Sequence, residues 1–175
     1  MKWSRQTVSA RFIWGLSLAL TIVLITGCGK KRDANSQAAT EYVLNLGGKV
    51  IQVDSDLPID TVAKIPEGGF AVREIDLTDA KIKNKNKELQ KLSDLPYLEK
   101  LNLHGTKLTD EGLHDITDLP RLQSLELSYT RVTDAEVSQL TRFPKLRKIF
   151  LYGTVIKPQT IEDLKSNLKG VTIYK

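Results

Sequence analysis

From residue 72 onward the apolar positions recur on a fixed beat. Leu98, Leu101 and Leu103 are followed by Leu122, Leu125 and Leu127 and then by Leu146, Ile149 and Leu151, with steps of 122 − 98 = 24 and 146 − 122 = 24 residues. Leu101 and Leu103 alternate with Lys100, Asn102 and His104, so the leucines point one way and the polar residues the other. Each triplet therefore predicts a short strand with one buried face. Thr106, Thr130 and Thr154 follow the strands, where a hydroxyl can satisfy neighbouring backbone groups. Thr133-Asp134-Ala135-Glu136 predicts a capping box, with Thr133 as N-cap and Glu136 reaching back. Val137 and Leu140 supply the inner face of the helix that follows, and Phe143-Pro144 ends it. Leu95-Pro96 and Leu119-Pro120 repeat that punctuation, and Pro158 suits a first helical position. Val72, Ile75 and Leu77 form an earlier copy, displaced by two extra residues around Lys83 to Lys87, a solvated charged loop. Leu168, Val171 and Ile173 are expected to be a shortened last copy.

No such unit can bury its own leucines, so neighbours must stack into parallel strands with helices outside. A period of this size carrying L-x-x-L-x-L is the leucine-rich-repeat signature. The chain resembles bacterial leucine-rich-repeat proteins whose units read Thr-x-(Leu/Val)-Thr-Asp-x-x-(Leu/Val). Thr106-Lys-Leu108-Thr109-Asp110-Glu-Gly-Leu113 and Thr130-Arg-Val132-Thr133-Asp134-Ala-Glu-Val137 carry that pattern, and Thr154-Val-Ile156-Lys157-Pro158 departs from it as a terminal unit does. The expected fold is α/β, a leucine-rich-repeat solenoid over residues 72–175. The resemblance implies a short horseshoe, with a parallel β-sheet on the concave face and helices on the convex face. It implies a binding role and specifies no ligand. Residues 37–71 are expected to cap the N-terminal end, with a helix over Ala38 to Leu46 closed by Gly47-Gly48 and a first strand over Lys49 to Val53. Gly47-Gly48-Lys49 is not a phosphate loop, because the rest of the Walker spacing is missing.

The opening residues have a different character. Lys2, Arg5 and Arg11 precede an apolar stretch from Phe12 to Ile25, which is short for a membrane span and has the layout of a secretion signal over residues 1–27. Ile25-Thr26-Gly27-Cys28 resembles a bacterial lipobox, and the single cysteine of the chain stands where that motif needs it. The resemblance implies a lipid on Cys28, export, and attachment to a membrane of the cell envelope. Residues 28–36 then read as a tether, whose Lys30-Lys31-Arg32 favours anionic lipid. Gly29 in place of aspartate favours the outer membrane, again by resemblance.

Charge and chemistry narrow the function further. The formal charge is +5, but Lys2, Arg5 and Arg11 leave 5 − 3 = +2 from residue 28 onward, so nucleic-acid binding loses its main support. One cysteine permits no disulfide within the chain. His104 and His114 fall on different surfaces without partners at ligand spacing, so no metal site is expected. Ser124 and Ser128 have no histidine on their own unit and no G-x-S-x-G occurs, so no catalytic residue and no cofactor is expected, and the chain reads as a non-enzyme. Asp110 and Asp134 stand at helix starts, where they compensate the helix dipole.

What remains is the strand surface. The outward positions are expected to form a column Asp76, Asn102, Glu126, Phe150 and Thr172, and a second column Thr78, His104, Ser128, Tyr152 and Tyr174, with Tyr129 beside it. Glu74, Lys100, Ser124 and Lys148 form an outer column. Exposed aromatic residues on a rigid surface are typical binding anchors. The candidate ligand-binding residues are Asp76, Asn102, His104, Glu126, Ser128, Phe150, Tyr152 and Tyr174. Two readings of the aromatics stand side by side: they bind a protein or peptide partner, or Phe150 and Tyr174 pack on each other at the end of the stack. The leading expectation is protein–protein interaction at the bacterial cell envelope. The alternatives are a self-assembling structural component of the envelope and a carbohydrate or small-ligand binder.

Overall fold

The computed structural model describes Asp33, residues 35–82 and residues 88–175. The leader, Cys28, the basic run Lys30-Lys31-Arg32 and the Lys83 to Lys87 insertion lie outside the described residues. The fold is α/β, built on one seven-stranded, mostly parallel sheet. Its strands are β1 (Lys49–Gln52), β2 (Pro58–Ile59), β3 (Val72–Asp76), β4 (Lys100–Asn102), β5 (Ser124–Glu126), β6 (Lys148–Phe150) and β7 (Thr172–Tyr174), in the spatial order β2-β1-β3-β4-β5-β6-β7. The α-helices are α1 (Ser36–Asn45), α2 (Asp110–His114), α3 (Asp134–Val137) and α4 (Pro158–Asn167).

Strands β3 to β7 run parallel and in register, pairing Ile75 with Leu101, Leu101 with Leu125, Leu125 with Ile149 and Ile149 with Ile173. The first four of these are buried in one core with Leu77, Leu103, Leu127 and Leu151. Thr106, Thr130 and Thr154 each donate a hydroxyl to the carbonyl three residues back, at 2.7, 2.6 and 2.5 Å, closing the turn after each strand. The segments that return the chain between β3 and β6 are shorter than regular helices, whereas the ten-residue α4 returns it from β6 to β7. Helices α2 and α3 are single turns, and a 3-10 stretch over Ser138–Arg142 completes the third unit before Phe143 extends the backbone.

Two details of the repeat differ from expectation. The last copy is not shortened: Ile173 lies 173 − 149 = 24 residues after Ile149 and pairs with it, while Val171 precedes the strand. Glu136 does not reach back to the helix start. It is buried, and its carboxylate meets Arg142 Nη1 at 2.6 Å and His114 Nδ1 at 3.4 Å. Thr133 does cap α3, its hydroxyl accepting from Ala135 N–H at 3.4 Å, and the preceding unit holds that threonine in place of Glu136. Asp110 accepts from the Thr133 N–H at 2.7 Å and from its hydroxyl at 2.5 Å.

One unit later Asp134 repeats the device, accepting from Lys157 N–H at 2.8 Å and Thr160 Oγ1 at 2.6 Å. These aspartates clamp neighbouring units together. The Thr160 hydroxyl above all, and then the Lys157 N–H, hold the Asp134 carboxyl below the usual aspartate range, against a smaller opposing effect of desolvation. A carboxyl depressed in the folded state contributes stability above its unfolded value of about 3.9, and that contribution is lost as pH falls through the lower folded value. The melting temperature of Asp134→Asn is therefore expected to fall less than that of the unaltered chain between about pH 7 and about pH 3. Equal acid slopes would show that the clamp carries no pH-dependent stability.

The N-terminal end is closed by α1, β1 and β2. Strand β1 is antiparallel to both β2 and β3, so the sheet changes sense where the repeat begins. β2, which the sequence pattern does not announce, is a two-residue edge strand containing Pro58. Ser36 falls within the expected tether but is buried. Its hydroxyl meets Asp33 Oδ2 at 2.5 Å and accepts from Val72 N–H at 3.0 Å, while Asp33 N–H donates to the Phe70 carbonyl.

Candidate binding surface

One face of the sheet covers the core and the other is open. On the open face, residues 76, 102 and 126 perform the same local task. Asp76 Oδ1 accepts from Thr78 N–H at 3.0 Å, Asn102 Oδ1 from His104 N–H at 3.0 Å, and Glu126 Oε1 from Ser128 N–H at 2.7 Å. Each side chain thus ends its own strand by capping the N–H two residues on. Phe150 occupies the equivalent place in the next unit and has no oxygen to offer. There the Ser128 hydroxyl accepts from Tyr152 N–H at 3.0 Å. That role explains why Ser128 is buried, 1% exposed, and removes it from the candidate ligand contacts.

The aromatic columns also need correction. Tyr174 pairs with Phe150, not with Tyr152, and Thr172 pairs with Lys148. The phenylalanine and tyrosine rings stack nearly parallel, with centroids 4.6 Å apart and planes 7° apart. Phe150 and Tyr174 are half-buried in this stack, so packing at the end of the sheet accounts for both. Tyr152 remains 45% exposed and Tyr129, beside it, 62% exposed. His104 packs edge-to-face on the Tyr129 ring with centroids 5.2 Å apart, and its Nδ1 stands 3.9 Å from Glu126 Oε1. Tyr129 N–H donates to the Tyr152 carbonyl at 2.7 Å, so His104, Glu126, Tyr129 and Tyr152 share one rim, where the chain leaves the strands.

Electrostatics divide the same face. Glu74 meets Lys100 Nζ at 3.1 Å and Arg73 Nε at 3.3 Å, and Asp76 meets Lys49 Nζ at 3.4 Å. Partial desolvation pulls the Asp76 carboxyl up, but the hydroxyl and N–H of Thr78, together with Lys49, leave it below the usual range. Between these pairs lies a depression of 300 Å³, lined by Lys49, Glu74, Asp76, Lys100, Glu126 and Phe150. A larger open hollow of 620 Å³ lies at the loops that lead into the strands, against Pro96, Pro120 and Pro144. It follows from the proline punctuation, and its Arg142 is already engaged by Glu136 and by the Leu113 carbonyl at 2.9 Å. Among the described residues no group of three or more His, Cys, Asp or Glu is placed to hold a metal ion. No helix among them is long and apolar enough to cross a membrane.

No protein-family model matches the chain, and no curated relative does. Among solved structures the chain is similar to the leiomodin-1 actin-binding site 2, with a TM-score of 0.51 and 15% sequence identity over 78% of this chain and 76% of that one. At that identity the likeness concerns the fold alone.

The site residue least visible in the sequence columns is Tyr129. The alternation of the strand sets it only beside the second column, yet it is the most exposed ring of the rim. Its sequence signal was a substitution: tyrosine stands where the flanking units carry Gly105 and Gly153.

Proposed function

We propose that this chain is a non-catalytic leucine-rich-repeat module that recognises a protein or peptide partner at the bacterial cell envelope. The observation that carries the reading is the exposure of Tyr129 and Tyr152 on one rim of a rigid sheet. Tyrosines of this kind give large contact area at low entropic cost and are enriched among residues that dominate binding. The in-register step of 24 residues and the buried L-x-x-L-x-L positions support the repeat assignment.

Anchoring by a lipid on Cys28 belongs to the same proposal and rests on the lipobox resemblance. Asp33 already bonds to Phe70, and 33 − 28 = 5 residues span at most about 18 Å when extended. A module so tethered works close to its bilayer, and its partner is an envelope component. Cross-linking and co-purification of the full-length chain from native envelopes tests the proposal. A partner is expected with the unaltered chain and is expected to be lost with Tyr152→Ala, whose melting temperature should stay unchanged. The same partners with both chains would move recognition away from this face.

A further inference from the structure

Four equivalent positions follow β3 to β6, namely Asp79, Gly105, Tyr129 and Gly153, all left-handed with φ of 56°, 67°, 57° and 67°. Glycine adopts that conformation freely and aspartate tolerates it, but a bulky aromatic residue there is a genuine outlier. Burial does not compensate Tyr129, because most of the residue is exposed. The ring nevertheless has defined neighbours on two sides. It lies across Gly153, where a Cβ would stand 2.6 Å from Tyr129 Cδ1, and it holds His104 edge-on. A strained, exposed and well-positioned ring points to a role outside folding.

The charges beside it indicate what the ring meets. Of the carboxylates on the open face, Glu74 and Asp76 are paired with lysine or arginine, whereas Glu126 meets, among the basic side chains of the described residues, only the His104 ring, with Nδ1 at 3.9 Å. Glu126 Oε1 is committed to the Ser128 N–H, which leaves Oε2 without a protein partner among the described residues. His104 touches both Glu126 and Tyr129, so the open carboxylate and the Tyr129 ring belong to one cluster, and Tyr152 stands beside it, its carbonyl accepting from Tyr129 N–H at 2.7 Å.

We infer that Glu126, Tyr129 and Tyr152 form a receptor for an arginine side chain presented by the partner polypeptide. A guanidinium would lie against a tyrosine face while donating to Glu126 Oε2, a combination of stacking and directed hydrogen bonding that arginine makes better than lysine. The inference rests on the recognition reading above and gives that partner its chemistry. Glu126→Gln keeps an oxygen for the Ser128 N–H and removes the charge. Tyr129→Gly restores the residue type of the neighbouring units and removes the ring.

The test titrates the isotope-labelled full-length chain with the peptide amides acetyl-Gly-Arg-Gly, acetyl-Gly-Leu-Gly and acetyl-Gly-Glu-Gly, following the Ser128, Tyr129 and Tyr152 amide resonances. Saturable shifts are expected with the arginine peptide alone, weakened about tenfold in either variant. The melting temperature of Tyr129→Gly should equal or exceed that of the unaltered chain. Equal shifts with all three peptides, or none with the arginine peptide, would overturn the assignment. So would a Tyr129→Gly chain that melts lower and still binds, since the ring would then serve packing. Loss of envelope partners in Tyr152→Ala alongside failure of the arginine peptide would leave recognition standing and remove only its cationic chemistry.

Discussion

Replacing Leu125 with alanine is expected to lower the unfolding free energy by about 3–5 kcal/mol. Leu125 is fully buried on β5, with Leu101 and Ile149 in register on either side. The cost has two parts: the lost transfer of the side chain out of water, and the cavity left behind. The second part is large where the walls cannot close in. Here β4 and β6 are held to β5 by ladder hydrogen bonds, and the Asp110–Thr133 clamp ties the return segments together. Ile173 offers the comparison. It occupies the same register position on β7, at the end of the sheet, and is only half-buried. Ile173→Ala should cost about 1–2 kcal/mol, because the site can relax and solvent already reaches part of it. Urea unfolding of the full-length chain measures both. A smaller loss at Leu125 than at Ile173 would contradict a single core that is tightest in the middle of the stack.

The contrast between these two positions also shows what the sequence could reveal. A residue such as Leu125 is legible because burial follows from a period, and a period survives local irregularity. The strand pairing from β3 to β6 and the threonine hydroxyls follow from that kind of regularity, and the Gly47-Gly48 closure follows from local helix-end chemistry. Ile173 was misplaced for the opposite reason. Leu168, Val171 and Ile173 repeat the local spelling of a unit, but register depends on how much chain the crossover consumes. The ten-residue α4 replaces the short turn of α3, and the full step of 24 residues lands on Ile173. That slip of two residues moved Tyr174 into the wrong column. Ser128 and Glu136 were misread because their partners lie on other segments. A serine between outward residues reads as surface until Phe150 removes the acceptor that Tyr152 N–H would otherwise have. Strain at Tyr129 was hidden for a related reason: propensity describes a residue in an average setting, whereas the left-handed turn is set by the repeat.

Gly47 and Gly48 look interchangeable in the sequence and are expected to behave very differently. Helix α1 ends in a Schellman motif, with Gly47 N–H donating to the Leu44 carbonyl at 2.9 Å and Gly48 N–H to the Val43 carbonyl at 2.9 Å. Gly47 carries the left-handed backbone, φ 80°, and a Cβ there would meet nothing within 4 Å. Alanine at Gly47 should therefore cost only the conformational penalty, about 1 kcal/mol. Gly48 is constrained by space instead. A Cβ there would stand 2.6 Å from the Asp76 carbonyl oxygen and 2.8 Å from both Leu77 Cδ2 and Val43 Cγ1. The nearest of these atoms is backbone of β3, where the cap joins the parallel strands, and it cannot swing aside as a surface side chain would. Gly48→Ala should cost about 3 kcal/mol, at the upper end of overpacking penalties, because relief requires α1 and β3 to separate. Thermal unfolding of both variants at neutral pH gives the ranking. If Gly47→Ala proved the more damaging, the backbone conformation of the cap would govern this junction, and close contact between α1 and β3 would not.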